Sequence, residues 1–224
     1  MFDTRQSVAS LVLDHSECAS VFQRHRIDFC CKGNLSIEEA AREKGVALPE
    51  LEAELASAIA SRRGDREADP RELPTARLLA HIIARHHEYL RKAMPFVVGL
   101  ATKVSRVHGE HNPKLRELEP AVNDLANAIV PHLDEEEERL FPLLVSPTPD
   151  RVAIATALAQ MHAEHLEVAE ILRRIRAASE DFTLPAWACN SYRTLFAELA
   201  QMETDVFTHV HLENHVLGPR FASA

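Results

Sequence analysis

Along most of this chain the apolar residues return every third or fourth position, and no strand-like alternation lasts more than a few residues. Four long stretches carry that helical spacing. They run from about Thr75 to Val107, Lys114 to Leu144, Asp150 to Ala178 and Pro185 to Leu217. The breaks between them, HGEHNP, SPTPD and DFTLP, hold the residues that end helices and start turns. Short connections make neighbouring helices antiparallel, so the pattern predicts an all-α, up-down-up-down four-helix bundle. Pro95 and Pro131 fall inside these stretches, where a missing N–H and a ring clash are expected to kink a helix.

Residues 1–60 predict a smaller helical domain. SVASLVLDHSECASVFQRH has helical spacing, IDFCCKGN reads as a turn, and LSIEEAAREKG opens with Ser36 as a cap and Glu39 as its capping-box partner. Between the two parts, residues 61–74 (SRRGDREADPRELP) are charged, hold one Gly and two prolines, and read as a linker. The expected division is therefore 1–60, a linker at 61–74, and a bundle at 75–224.

The apolar stripes contain histidines and glutamates. In the second long stretch the stripe is Val122, Leu125, Ile129, His132, Glu136, Leu140 and Leu143; in the fourth it is Leu199, Met202, Val206, His209, Glu213 and Leu217. In the third, His165 joins Leu158, Met161, Val168, Leu172 and Ile175. His211 and His215 lie about 200° from His209 and Glu213 at roughly 100° per residue, which puts them on the solvent face. The halves also repeat: HLDEEEERLFP and HVHLENHVLGP share His-x3-Glu-x3-Leu-x-Pro. On the first long helix Ile83 and Leu90 suit either His86 or His87 as the inward residue. The repeat favours His87, which precedes His132 by 45 residues as His165 precedes His209 by 44. Of the acidic run, only Glu136 has the phase of His132. Glu135, Glu137 and Glu138 are expected at the solvated surface, with support of the site as the alternative.

Composition narrows the function. A formal charge of −9 argues against nucleic acid and anionic membrane surfaces as partners. No apolar run approaches the roughly 18 residues of a membrane span. The first residues lack the basic-then-apolar order of a secretory signal, so a cytoplasmic location is expected. A buried glutamate is costly unless paired, and four histidines with two glutamates in one bundle core have few purely structural explanations. Two metal ions satisfy the whole set. Imidazole and carboxylate without thiolate suit iron, manganese or zinc. Six side-chain ligands over two ions leave open positions, which favours a diiron centre over a saturated structural one.

With these residues in place the chain resembles a known family. HIIARHHEYL, ATKVSRVH, EEERLFP and HLENHVLGPR resemble a hemerythrin-like domain, and IDFCCKGNLSIEEAA resembles the short di-cysteine domain before it in the RIC (repair of iron centres) proteins. The resemblance implies a cytosolic protein with two non-haem irons, oxo- and carboxylate-bridged, held by His87, His132, Glu136, His165, His209 and Glu213. It implies repair of iron–sulfur clusters after nitrosative or oxidative stress, by supplying iron and reacting with nitric oxide. Damaged iron–sulfur proteins are the implied clients. A nitric oxide reductase at the same centre and a hemerythrin-type oxygen binder or sensor are the alternatives. Oxygen-carrying hemerythrins use a fifth histidine, for which this sequence has no clear equivalent; whether His108, at a helix end, approaches the site is left open. Two positions depart from the family pattern: Lys32 stands where glycine is expected, and Gly218 where phenylalanine is usual.

Four cysteines are present, and the adjacent Cys30 and Cys31 bridge only with strain. They are a candidate thiol site for transient iron or zinc binding or redox exchange. Two cysteines alone give too few ligands for a tetrahedral site, so other side chains, or a second subunit of a homodimer, would complete it.

Overall fold

The computed structural model describes residues 2–61 and 69–222. Most of the expected linker, residues 62–68, lies outside the described residues. The chain packs as two compact units: one comprises residues up to Leu73 with Phe207–Arg220, the other Pro74–Val206 with the last residues.

In the first unit, α1 (Val8–Asp14), α2 (Cys18–Arg24), α3 (Ile37–Lys44) and α4 (Leu48–Ser61) surround a core of Leu11, Phe22, Phe29, Ile37, Leu51 and Leu55. The capping box read from the sequence is present. Ser36 accepts from the Glu39 backbone N–H, and the Glu39 carboxylate accepts in return from the Ser36 N–H. Gly45 ends α3 at φ 67°, a left-handed cap that glycine adopts without strain. Residues 207–220 belong to this unit by contact. Phe207 packs edge-on against Phe29, and the Arg220 guanidinium donates to the carbonyls of Leu73, Pro70 and Arg71.

The second unit is the helical bundle. Its first arm is α5 (Thr75–Ile82) and α6 (Glu88–His108), its second α7 (Leu115–Glu135) and α8 (Phe141–Leu144), its third α9 (Arg151–Ala178), and its fourth the part of α10 (Asn190–Leu212) up to Val206. Helix α7 packs on both α6 and α9. The first arm buries Leu90, Met94 and Val97, and the other three bury residues of their predicted stripes: Val122, Leu125 and Ile129; Met161, Val168 and Leu172; Leu199, Met202 and Val206. Helices α6 and α7 continue through Pro95, Pro120 and Pro131. Helix α10 starts at Asn190, five residues later than Pro185, because Pro185–Ala188 closes a turn of its own. A half-buried ion pair ties α9 to α10: Arg176 binds the buried Glu203 through two guanidinium nitrogens and lies over the Phe182 ring.

The long helices depart from simple α geometry at three places. Ile83–His87, Glu136–Leu140 and Glu213–Leu217 are π-helical. In each, a backbone N–H reaches five residues back: Glu88 to Ile83, Phe141 to Glu136, and Gly218 to Glu213. Such single turns concentrate at functional sites. Here each begins or ends on a histidine or glutamate of the predicted set.

Candidate metal centre

Within the bundle, four of the six predicted residues come together. His87, His132, Glu136 and His165 are all at most 4% exposed. The Glu136 carboxylate divides its two oxygens: Oε2 stands 3.4 Å from His87 Nε2, and Oε1 stands 3.4 Å from His132 Nε2. His165 Nε2 lies 3.2 Å from His132 Nε2. The last α turn of α7 places Glu136 one turn beyond His132, through its N–H to the His132 carbonyl, and the π turn that follows keeps Leu140 buried. The π turn at Ile83–His87 resolves the His86/His87 choice in an unforeseen way. Its extra residue per turn lets both histidines bury, at 3% and 0% exposure. His87 faces Glu136; His86 instead pairs through Nδ1 with Asp205 Oδ1 at 3.0 Å.

Outer carboxylates fix the rings. His87 Nδ1 is 2.9 Å from Glu137 Oε1, and His132 Nδ1 is 2.7 Å from Glu164 Oε2. Burial pushes the Glu137 carboxyl up, but hydrogen bonds from Arg91 and His87 hold it below its ordinary range. Burial likewise raises Glu164, and hydrogen bonds from His132 and Gln160 more than offset it. An ionised carboxylate only accepts, so in both histidines Nδ1 carries the proton and Nε2 turns its lone pair inward. Glu137 was expected mainly at the surface, and nothing in the stripe analysis singled out Glu164. Their shared signal was a carboxylate directly beside a predicted inward residue.

A cavity of about 260 Å³ between the Glu136 turn and α9 reaches Glu136; Glu135, Arg139, Thr156, Gln160 and Glu164 are among its lining.

The other two predicted residues sit in the C-terminal segment. His209 and Glu213 are fully buried, with His209 Nε2 3.0 Å from Glu213 Oε1. Glu213 opens a π turn just as Glu136 does, so the repeat seen in the sequence recurs in local structure.

One expectation fails. His211 and His215 are not on a solvent face: His211 is 3% exposed, and its Nδ1 donates to the Phe29 carbonyl at 3.0 Å. His215 Nε2 is 2.8 Å from the Cys30 carbonyl. The face opposite His209 is covered by the di-cysteine turn, which stripe analysis of one helix cannot anticipate. His108 does not approach the centre. It lies at the far end of α6, roughly 31 Å from His87 at about 1.5 Å per residue, with Nε2 3.1 Å from Cys189 Sγ. Lys32 lacks the left-handed backbone that would demand glycine; Gly33 carries the constraint instead, since a Cβ there would meet the Phe29 carbonyl oxygen at 2.4 Å.

Residues 78–221 match the family model described as the hemerythrin HHE cation binding domain. The chain belongs to that hemerythrin family. Residues 4–59 of this hemerythrin-like chain match a second model, ScdA_N, a domain of unknown function. Among curated proteins the chain is 32% identical to the iron-sulfur cluster repair protein YtfE of Yersinia pseudotuberculosis serotype IB (strain PB1/+), over 96% of each chain. It is similar at the same identity and coverage to YtfE of Yersinia pestis (strain Pestoides F). No helix among the described residues is long and apolar enough to cross a membrane.

Proposed function

We propose that His87, His132, Glu136, His165, His209 and Glu213 hold two non-haem iron ions, with Glu136 and Glu213 as bridging carboxylates, and that the protein serves the repair of damaged iron–sulfur clusters. The observation that carries this reading is the division of the Glu136 oxygens between two different histidines. A carboxylate placed to pair with one imidazole would turn both oxygens toward it, or toward other donors; one placed to join two cations turns one oxygen to each. The spacing agrees. Two donors each about 2.1 Å from a shared ion stand about 3.0 Å apart at a right angle and about 3.4 Å apart at a tetrahedral one, the range spanned by the Glu136 and Glu213 contacts. The donor set of imidazole and carboxylate, free of thiolate, suits iron. His209 and Glu213 complete the set by repeating the His132–Glu136 arrangement, with burial and a π turn alike.

When bound, the two irons supply one-electron chemistry and a store of releasable metal. The protein does the rest. Glu137 and Glu164 hold the His87 and His132 rings in the tautomer that offers Nε2. Six side-chain ligands leave positions for a small molecule. The buried stripes of the bundle exclude bulk water, and a cavity with Glu136 in its lining lies beside the centre. That cavity favours a second reading, turnover of nitric oxide or reversible binding of oxygen at the same centre.

Purified aerobically, the protein is expected to hold two irons per chain with a visible absorption that bleaches on reduction. The loaded protein, in stoichiometric amounts, is expected to restore activity to an iron–sulfur enzyme inactivated by nitric oxide. Failure of restoration by iron-loaded protein overturns the repair role, and a native protein without iron overturns both parts. Anaerobic nitric oxide consumption by the reduced protein, or reversible oxygenation, supports the second reading.

A further inference from the structure

The di-cysteine turn of the first unit is organised around one carboxylate. Asp28 Oδ1 accepts from the backbone N–H groups of Cys30 and Cys31 at 3.0 and 2.8 Å, and Cys30 Sγ lies 3.2 Å from the same oxygen. The two sulfurs are 3.6 Å apart and not bonded to each other. One donor atom from each of Asp28, Cys30 and Cys31 falls within 4.8 Å of the others. A carboxylate has about four lone-pair sites; the two backbone N–H groups take those of Oδ1 and leave Oδ2 for a further bond.

These spacings fit a cation. Two thiolates about 2.3 Å from one tetrahedral ion are about 3.8 Å apart, and a thiolate and a carboxylate oxygen about 3.6 Å apart. The two sulfurs, 3.6 Å apart, fall short of the thiolate spacing by only a few tenths of an ångström, and the Asp28 carboxylate stands beside them, with its Oδ1 3.2 Å from Cys30 Sγ. The turn is also held in shape. Asn214 Nδ2 and His215 Nε2 reach the Cys30 carbonyl, His211 Nδ1 the Phe29 carbonyl, and the close approach at Gly33 leaves no room for a side chain. Cys30 is buried, while Cys31 is half-buried.

We propose that Asp28, Cys30 and Cys31 form a second metal site, distinct in its donors from the histidine–glutamate set, which takes a thiophilic divalent cation of the zinc class. Two thiolates and one carboxylate supply three ligands, and the fourth position stays open, unlike the closed four-ligand sets of structural zinc sites. Binding releases two protons, one from each thiol, so two S–H bonds are replaced by two metal–sulfur bonds with no change of oxidation state. Hydrogen bonding to Cys31, burial and the nearby Asp28 charge all hold the Cys30 thiol well above its ordinary range, and a bound cation overcomes them together. Affinity accordingly falls as pH falls.

The test uses the iron-loaded full chain titrated with Co2+, whose thiolate charge-transfer absorption the thiol-free histidine–glutamate set cannot produce. One Co2+ per chain is expected to give that absorption. It is expected to halve in C30S and in C31S and to vanish in the double variant C30S/C31S. In D28N binding is expected to weaken by about tenfold or more. Absence of the band in excess Co2+ at pH 8, its persistence in the double variant, or unchanged affinity in D28N overturns the site. Because Asp28 also shapes the turn, the wild-type protein gives a second measurement. One equivalent of Zn2+ is expected to protect Cys30 and Cys31, but not the exposed Cys189, from alkylation, and equal labelling with and without Zn2+ overturns the proposal. The variant H132L/E136L is expected to keep the cobalt–thiolate band, so failure of the diiron reading is separable from failure of this one.

Discussion

Replacing His132 and Glu136 together by leucine distinguishes a metal centre from a buried polar network. Glu136 is 1% exposed, and its two imidazole neighbours stand at 3.4 Å, too far for the short charge-assisted bonds that best offset desolvation. Without metal, therefore, the double variant is expected to match the wild-type protein or exceed it by about 1–4 kcal/mol, as when buried ion pairs are replaced by apolar residues. With metal only the wild-type protein gains. A cation that binds only the folded state adds about 2.7 kcal/mol when free at 100 times its Kd. In a chain of this length each kcal/mol moves the midpoint by about 2–4 °C, giving a rise of roughly 5–11 °C for one ion. The assay is thermal unfolding followed by circular dichroism under anaerobic conditions, with and without ferrous iron. The wild-type midpoint is expected to rise and the variant's to stay put. An equal iron-dependent rise in both proteins, or none in either, would refute the reasoning.

Three further outcomes follow from particular contacts. Glu137→Gln keeps the shape but removes the charge that orients His87, so iron affinity measured by chelator competition is expected to fall about 10–100-fold. Arg176→Met strands the buried Glu203 and is expected to cost about 3–5 kcal/mol in urea unfolding, whereas R176M/E203L recovers most of that; equal losses in both would show that the pair is not coupled. Burial, then the neighbouring His215, brings His211 down to about 4, with the Phe29 carbonyl opposing them. Its folded value thus lies below its unfolded one, the unfolded chain binds the extra proton, and the stability it contributes is complete above about pH 6.5 and lost as pH falls toward 4. Between pH 7.5 and 5.0 the loss from this residue is about 2 kcal/mol, and the same pair of urea titrations on His211→Gln is expected to lack that part of the slope.

The sequence by itself determined the bundle and most of the candidate centre. Apolar residues at helical spacing bury because water expels them, and a helix has only one face to offer a core. The stripe through Ile129, His132 and Glu136 therefore carries its polar members inward, as does that through Val206 and His209. The Ser36–Glu39 capping box was equally legible, being a contact between residues three apart. Tertiary structure decided what depends on a second element or on a break in the 3.6-residue period. The π turn at Ile83–His87 shifts the phase mid-helix, so His86 buries against Asp205 while His87 turns to Glu136. Glu164 matters because α9 sets it beside a ring from α7. His211 and His215 looked solvent-facing because a single helix says nothing of what covers its outer side. Here that cover is the turn at Phe29 and Cys30, more than 180 residues earlier in the chain.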